Sequence, residues 1–330
     1  MVAHVPKTSS KKSMPPPDPF IHLREDLRDL YQSLSLELKI LPQIIEKDYW
    51  LMHCLWGLKQ QGLHLELKGG TSLSKGWNLI DRFSEDVDIK ILTSSSLNLP
   101  TGKNQEKPAH IKARSDYFEE LAKEISIPGI GEVKRDHAFD DTKMRGAGIR
   151  LFYNSVFETL PGIKEGILLE VGFDVTIPNE PRTISSWILE KASEVGLPVF
   201  DNRAYAIPCY LPEYTLVEKL QTISTKFRNF ESTKTLPANF LRHYYDVFQL
   251  LNDDRVKKFI GSPEYQAHKK RRFPLRDNSD LKKNQAFLLT DKKVKELLET
   301  EYQKTRNLYF KGQPEFDAIL KRISEHLDDL

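Results

Sequence analysis

From Phe20 the apolar positions Leu23, Leu27, Leu30 and Leu34 recur at helical spacing, and Ile44, Ile45, Tyr49, Leu51, Met52, Leu55 and Leu58 predict a second, longer helix. The period then changes. Residues 63–67, Leu-His-Leu-Glu-Leu, alternate as a half-buried strand does and run into Lys68-Gly69-Gly70-Thr71-Ser72-Leu73-Ser74-Lys75, a glycine turn that opens a short helix through about Leu79. A second alternating strand is expected over 84–92, Ser-Glu-Asp-Val-Asp-Ile-Lys-Ile-Leu. The pattern lapses over 93–112, where Ser94-Ser95-Ser96, Pro100, Gly102 and Pro108 indicate an open loop, and a helix is expected over 116–125. Further strands are expected over 148–153 and 167–175. Beyond Pro178 the chain reads as mostly helical, with a proline-marked break over 207–212 and helical patterns over 215–227, 237–252, 291–309 and 314–330.

These elements predict an α+β unit followed by an α-helical appendage, with the boundary near Asn202: a disordered lead-in over 1–19, a core over 20–202 and a helical domain over 203–330. With 330 residues, 39% of them hydrophobic, the chain can bury a two-domain core. No stretch approaches the roughly 18 apolar residues of a spanning helix, and the polar, proline-rich start is not a secretory pattern, so no membrane partner and a cytoplasmic location are expected. Cys54 and Cys209 are the only cysteines and supply neither a disulfide framework nor a four-thiolate zinc site. A net charge of +2 leaves nucleic-acid binding to local clusters. Those clusters are Lys134-Arg135, Lys143 with Arg145, and Lys269-Lys270-Arg271-Arg272, the last flanked by Tyr265 and Phe273 as candidate stacking surfaces.

The strand, glycine turn, helix, strand order carries the candidate chemistry. Phosphoryl transfer needs a cradle for phosphates and carboxylates that hold a divalent cation against them. Gly69 and Gly70 let backbone N–H groups approach phosphate oxygens, and Thr71 or Ser72 offers a hydroxyl. Asp86 and Asp88, two apart in a strand, share one face while Val87 and Ile89 take the other. Their repulsion calls for a cation, and hard oxygen ligands suit Mg²⁺ or Mn²⁺. A third carboxylate is expected on a neighbouring strand, and Glu170 and Asp174, four apart in one expected strand, both qualify. Arg82 and Ser84 are candidates for binding phosphate or for fixing the carboxylate strand.

Lys68-Gly69-Gly70-Thr71-Ser72-Leu73, followed by Arg82-Phe83-Ser84-Glu85-Asp86-Val87-Asp88-Ile89, resembles the signature of the AbiEii/AbiGii nucleotidyltransferase toxins of the DNA polymerase β-like superfamily. Ile167-Leu168-Leu169-Glu170-Val171 is similar to the family's third-carboxylate strand, which favours Glu170 over Asp174. Tyr214-Thr215-Leu216-Val217-Glu218-Lys219-Leu220 resembles its lysine motif, and Arg242-His243-Tyr244-Tyr245-Asp246 its late Arg-His-x-x-Asp helix. The resemblance implies a polymerase β-like core with a mixed sheet and a helical C-terminal domain. It implies Asp86, Asp88 and Glu170 as metal ligands, Lys219 as a catalytic cation, and Lys68, Gly69, Gly70, Thr71, Arg82, Ser84, Lys219 and Asp246 around a nucleoside triphosphate. It further implies Mg²⁺ dependence, an RNA acceptor such as tRNA, and an antitoxin partner. Bottom-up, Lys219 can reach a triphosphate from its helix, Asp246 can order that lysine or the base, and His243 can support them.

Two other readings use the same residues. The metal site would equally serve a protein hydroxyl, giving adenylylation, and an inactive nucleotide- or RNA-binding module would keep the fold. Paired carboxylates whose repulsion needs a cation argue against the second.

Overall fold

The computed structural model describes residues 18–91, 99–102, 104–158, 163–237 and 239–330. Most of the expected lead-in, and residues 92–98 and 103 of the expected open loop, lie outside them. Helix α1 spans Leu27–Leu38 and α2 spans Pro42–Gln60, the latter started by a proline whose missing N–H is harmless in a first turn. Helix α2 is enclosed on nearly every side, and its consecutive charges Glu46, Lys47 and Asp48 are buried with it. Each is met by a different segment: Glu46 by Ser155 at 2.5 Å, Lys47 by the carbonyl of Lys164, and Asp48 by Lys75 at 2.5 Å. Buried charges persist where partners of this kind are present.

Strand β1 (Leu65–Lys68) leads into the single-turn helix α3 (Gly69–Thr71), which continues as a π-helical turn over Ser72–Gly76. Strand β2 is Asp86–Ile91, and helix α4 is Pro108–Glu124, which starts eight residues before the expected position because Pro108 opens its first turn. Strands β3 (Ile130–Asp136), β4 (Gly146–Tyr153), β5 (Ile167–Gly172) and β6 (Asn179–Ile184), helix α5 (Trp187–Glu194) and strand β7 (Ala204–Tyr210) complete a seven-stranded sheet of order β3-β4-β5-β2-β1-β7-β6. The sheet is mixed: β2 runs parallel to β5 and β1 to β7, and the other neighbours are antiparallel.

Three features differ from the sequence expectation. The strand expected over 167–175 stops at Gly172, the last residue paired with either β2 or β4, so Asp174 is not on the strand face of Glu170. The expected break over 207–212 is instead strand β7 up to Tyr210, and Pro208 lies opposite Pro181 of the edge strand β6. Prolines are tolerated there because β6 is an edge and β7 pairs with β1 only around Leu67 and Cys209. Strand β3 is the opposite edge, too polar to show an apolar alternation.

The C-terminal part is helical: α6 (Pro212–Thr233), α7 (Arg242–Leu250), α8 (Asp254–Phe259), α9 (Pro263–Arg272), α10 (Gln285–Leu288), α11 (Lys292–Gln303) and α12 (Phe316–Ser324). It builds its own apolar cluster around Leu216, Leu220, Tyr244, Tyr302 and Phe316. Leu73 and Ile80, just after the glycine turn, belong to that cluster, whereas the sheet and α1, α2, α4 and α5 form the other. The two halves are also stitched by backbone: Phe83 N–H donates to the Leu308 carbonyl at 2.8 Å, and Phe310 N–H to that of Asp81 at 3.1 Å.

Candidate active site

Strands β1, β2 and β5 bring Lys68, Asp88 and Glu170 into one row, Lys68 opposite Asp88 and Asp88 opposite Glu170. On β2 the alternation is as expected, with Val87 and Ile89 fully buried and Asp86 and Asp88 on the other face, half-buried. Gly69 follows Lys68 with φ +68°, a left-handed conformation that favours glycine, and a Cβ there would lie 1.9 Å from Asp88 Oδ2. A Cβ on Gly70 would lie 2.6 Å from Ser84 Oγ and 2.9 Å from an Arg82 nitrogen. Both glycines are thus required by close approach, the first to a carboxylate and the second to the residues that precede β2. The buried Thr71 hydroxyl donates to the Asp86 carbonyl at 2.6 Å, so it holds the carboxylate strand against the turn.

The carboxylates differ in their company. Lys164, on the segment entering β5, reaches Asp86 at 2.9 and 3.2 Å and lies 4.6 Å above the Phe139 ring. Among the described residues no Lys or Arg lies as close to Asp88 or Glu170. Burial, with Asp86 nearby, raises the Asp88 carboxyl above its ordinary range despite Lys68 and Lys219. Burial and then the negative charges of Asp88 and Asp86 push Glu170 up to about 8. Asp174, beyond the end of β5, is held instead by Lys68 at 3.2 Å and Arg272 at 3.4 Å, which draw its carboxyl down against the opposing effect of burial. Lys68, Asp88, Glu170 and Asp174 line one cleft of about 350 Å³ with Phe139 and Arg145.

Across from this row, α6 and α7 present a second buried group. Arg82 donates two hydrogen bonds of 2.7 Å to the two oxygens of Asp246, and Lys219 reaches the same carboxylate at 3.0 Å. Asp246 is wholly buried, yet Arg82 and Lys219 hold its carboxyl well below the usual carboxylate range. The guanidinium of Arg82 is committed to Asp246 and to the Phe83 carbonyl, which makes it a support for Lys219 and the turn. Lys219 is not on a solvated helix face.

A family model described as nucleotidyl transferase AbiEii toxin, type IV TA system, matches residues 50–322, a span that contains this entire constellation. The chain belongs to the AbiEii nucleotidyltransferase family. It is accordingly a nucleotidyltransferase, with an α+β core of that class. Among solved structures, an antigenic nucleotidyltransferase-like protein from Paracoccidioides brasiliensis is 12% identical with a TM-score of 0.32, over 74% of this chain and 93% of that one. Terminal uridylyl transferase 4 from Trypanosoma brucei, solved with bound UPU, is 11% identical with a TM-score of 0.26, over 69% of this chain and 58% of that one. No curated protein matches the chain.

The AbiEii family implies a divalent metal, and the donors that would face it are carboxylate oxygens. Asp88 and Glu170 fit such an ion: they sit opposite one another on paired strands, burial first and neighbouring carboxylates second raise their carboxyls, and a hard cation relieves both effects. Asp86 lies on the same strand face, with both of its oxygens met by Lys164. Among the described residues no three His, Cys, Asp or Glu side chains converge as a ready-made cage.

The sequence reading missed Glu85. Wedged between Ser84 and Asp86 and 2% exposed, its carboxylate accepts from Arg242 at 3.0 Å and from the Lys164 N–H at 3.1 Å, with Lys47 at 3.8 Å. The alternation that turns Val87 and Ile89 inward also turns Glu85 inward, which was the available signal. Lys164 had none, since it lies in a loop without pattern. The candidate stacking residues Tyr265 and Phe273 are core instead, 0% and 8% exposed, because they fill the C-terminal apolar cluster. Of the basic run before Phe273, Arg272 pairs with Asp174 and Glu218, and Lys269 hydrogen-bonds the Leu330 carbonyl. No helix among the described residues is long and apolar enough to cross a membrane.

Proposed function

We propose that this nucleotidyltransferase moves a nucleotide from a nucleoside triphosphate to a hydroxyl of an RNA acceptor, tRNA foremost, with release of pyrophosphate, as the toxin of a cytoplasmic toxin–antitoxin pair. The observation that carries the reading is the row Lys68, Asp88, Glu170 beside the Gly69-Gly70 turn, faced by Lys219 on its Asp246 support. Asp86, Asp88 and Glu170 would hold Mg²⁺ or Mn²⁺, which when bound neutralises phosphate charge and orients the attacking and leaving oxygens.

The chain's own groups then have separate tasks. Gly69 and Gly70 admit the triphosphate to the backbone of the turn, at the start of α3, with Lys68 and Ser84 at its margins. Lys219, fixed by Asp246 and Arg82 before substrate arrives, is preorganised to meet the charge that develops on the leaving phosphate. Arg145 and the exposed Lys134, Lys143, Lys270 and Arg271 offer phosphate contacts to an RNA acceptor. The family's type IV toxin–antitoxin description supports a protein antitoxin as a partner.

The test is incubation of purified protein with Mg²⁺, total tRNA and each labelled nucleoside triphosphate, for wild type and Asp88→Asn. Label on tRNA from the wild type alone is expected. Label on a protein band instead would replace the RNA acceptor with a protein one, and equal labelling by both enzymes would remove Asp88 from the chemistry.

A further inference from the structure

Lysines around the transfer site are paired: Lys68 with Asp174, Lys75 with Asp48, Lys164 with Asp86 and Lys219 with Asp246. Lys226 is the exception. It lies on α6 seven residues beyond Lys219, two helical turns along the same face and roughly 10 Å further on. Among the described residues no carboxylate lies within 4.0 Å of its Nζ, and its hydrogen bond goes to His243 Nε2 at 3.2 Å.

The charge states of this pair follow from their surroundings. Burial, Lys219 and Lys226 keep the His243 imidazole neutral, its pKa well below the ordinary value. Nε2 therefore accepts from the Lys226 ammonium, which leaves the proton on Nδ1, and that atom is buried with no partner among the described residues. Lys226 is itself pushed down to about 8, by burial and by Lys219, while Glu170 and Asp88 act on it in the opposite sense. It therefore feels the same carboxylates that line the transfer site. Among the described residues this half-buried ammonium has a hydrogen bond only to a neutral base and no carboxylate in contact, and it stands in line with a second lysine, so the carboxylates of the transfer site compensate it only from a distance.

We propose that Lys226, held by His243, is a phosphate-binding subsite of the transfer site, taking a phosphoryl group of a substrate beyond Lys219. The inference rests on the nucleotidyl-transfer reading above. The phosphate comes either from the polyphosphate of the incoming nucleotide or from the backbone of the acceptor, and the two sources separate by experiment.

Binding of inorganic tripolyphosphate, by calorimetry with Mg²⁺ present, and of total tRNA, by filter retention without nucleotide, is measured for the full chain as wild type, Lys226→Met and Lys226→Arg. Loss of one charge-assisted contact is expected to weaken the affected probe about tenfold in Lys226→Met, with recovery in Lys226→Arg. Because Lys226→Met also removes the partner of His243 Nε2, the melting temperature is read beside binding: binding restored by Lys226→Arg reads a subsite, and binding lost in both variants together with a lowered melting temperature reads a purely structural lysine and overturns the subsite. Weakened tripolyphosphate with unchanged tRNA assigns the subsite to the nucleotide, and the reverse assigns it to the acceptor. Unchanged binding of both probes overturns the subsite while leaving the transfer reading intact. A wild type that binds neither probe overturns both.

Discussion

Replacing Glu170 with Gln should stabilise the metal-free protein while removing its response to metal. Glu170 is raised from 4.5 to about 8 by burial and by Asp88 and Asp86. Below pH 4.5 the side chain is neutral in folded and unfolded chains alike, and Gln should be equivalent to it. As pH rises, the unfolded chain ionises first, so the wild type loses stability relative to Glu170→Gln until the folded carboxyl also ionises near pH 8. At about 1.4 kcal/mol for each pH unit over which only the unfolded chain is ionised, the gap at pH 7 is about 3 kcal/mol, an upper figure because solvent and side-chain relaxation reduce it. Urea unfolding of both proteins with a chelator, from pH 4.5 to 8.5, reads the gap directly. Adding Mg²⁺ or Mn²⁺ should then stabilise the wild type, increasingly as pH rises, and leave Glu170→Gln unmoved. A gap that does not widen with pH, or equal stabilisation of both proteins by metal, would refute the assignment of Glu170 as the uncompensated carboxylate.

Gly69→Ala places a methyl 1.9 Å from Asp88 Oδ2 at φ +68°; nucleotide transfer should fall at least a hundredfold and stability by about 1–3 kcal/mol, measured by labelling and urea unfolding. Asp246→Asn leaves Arg82 and Lys219 buried without a counter-charge, so unfolding should become easier by about 3–5 kcal/mol; a change below about 1 kcal/mol would show that the three groups are not coupled. Lys164→Met frees Asp86 from its 2.9 Å partner and should lower the metal concentration for half-maximal transfer, whereas a raised requirement would make Lys164 a participant and not a competitor.

The central strands were legible because their chemistry and their packing obey the same period of two: in β2 every second residue is a buried aliphatic and the alternate ones are Asp86, Asp88 and Lys90. For the third carboxylate, spacing left Glu170 and Asp174 as two candidates, and the family resemblance favoured Glu170. The distinction from Asp174 depends on where β5 loses its neighbours, which is decided by Lys90 and Gly146 on other strands. The edge strands β3 and β6 were not legible, since an edge in water needs no apolar alternation and admits proline. Of the polar support, the Lys219–Asp246 pair was anticipated from the helical motifs, whereas the arginine pairings were out of reach. The Arg82–Asp246 and Arg242–Glu85 pairs join residues 164 and 157 positions apart, and no local pattern announces that two charges will be buried together.

The backbone bonds between residues 81–83 and 308–310 give the chain a timetable as well as a shape. The segment that feeds Asp86 and Asp88 into the sheet has its partner more than two hundred residues later, and Lys219 and Asp246 also follow far behind the carboxylates in the order of synthesis. A ribosome delivering this chain produces β1, the glycine turn and β2 long before the groups that complete the site. Half-made or prematurely terminated copies therefore lack Lys219, Asp246 and the segment that braces residues 81–83, and only a nearly finished chain carries every group of the constellation.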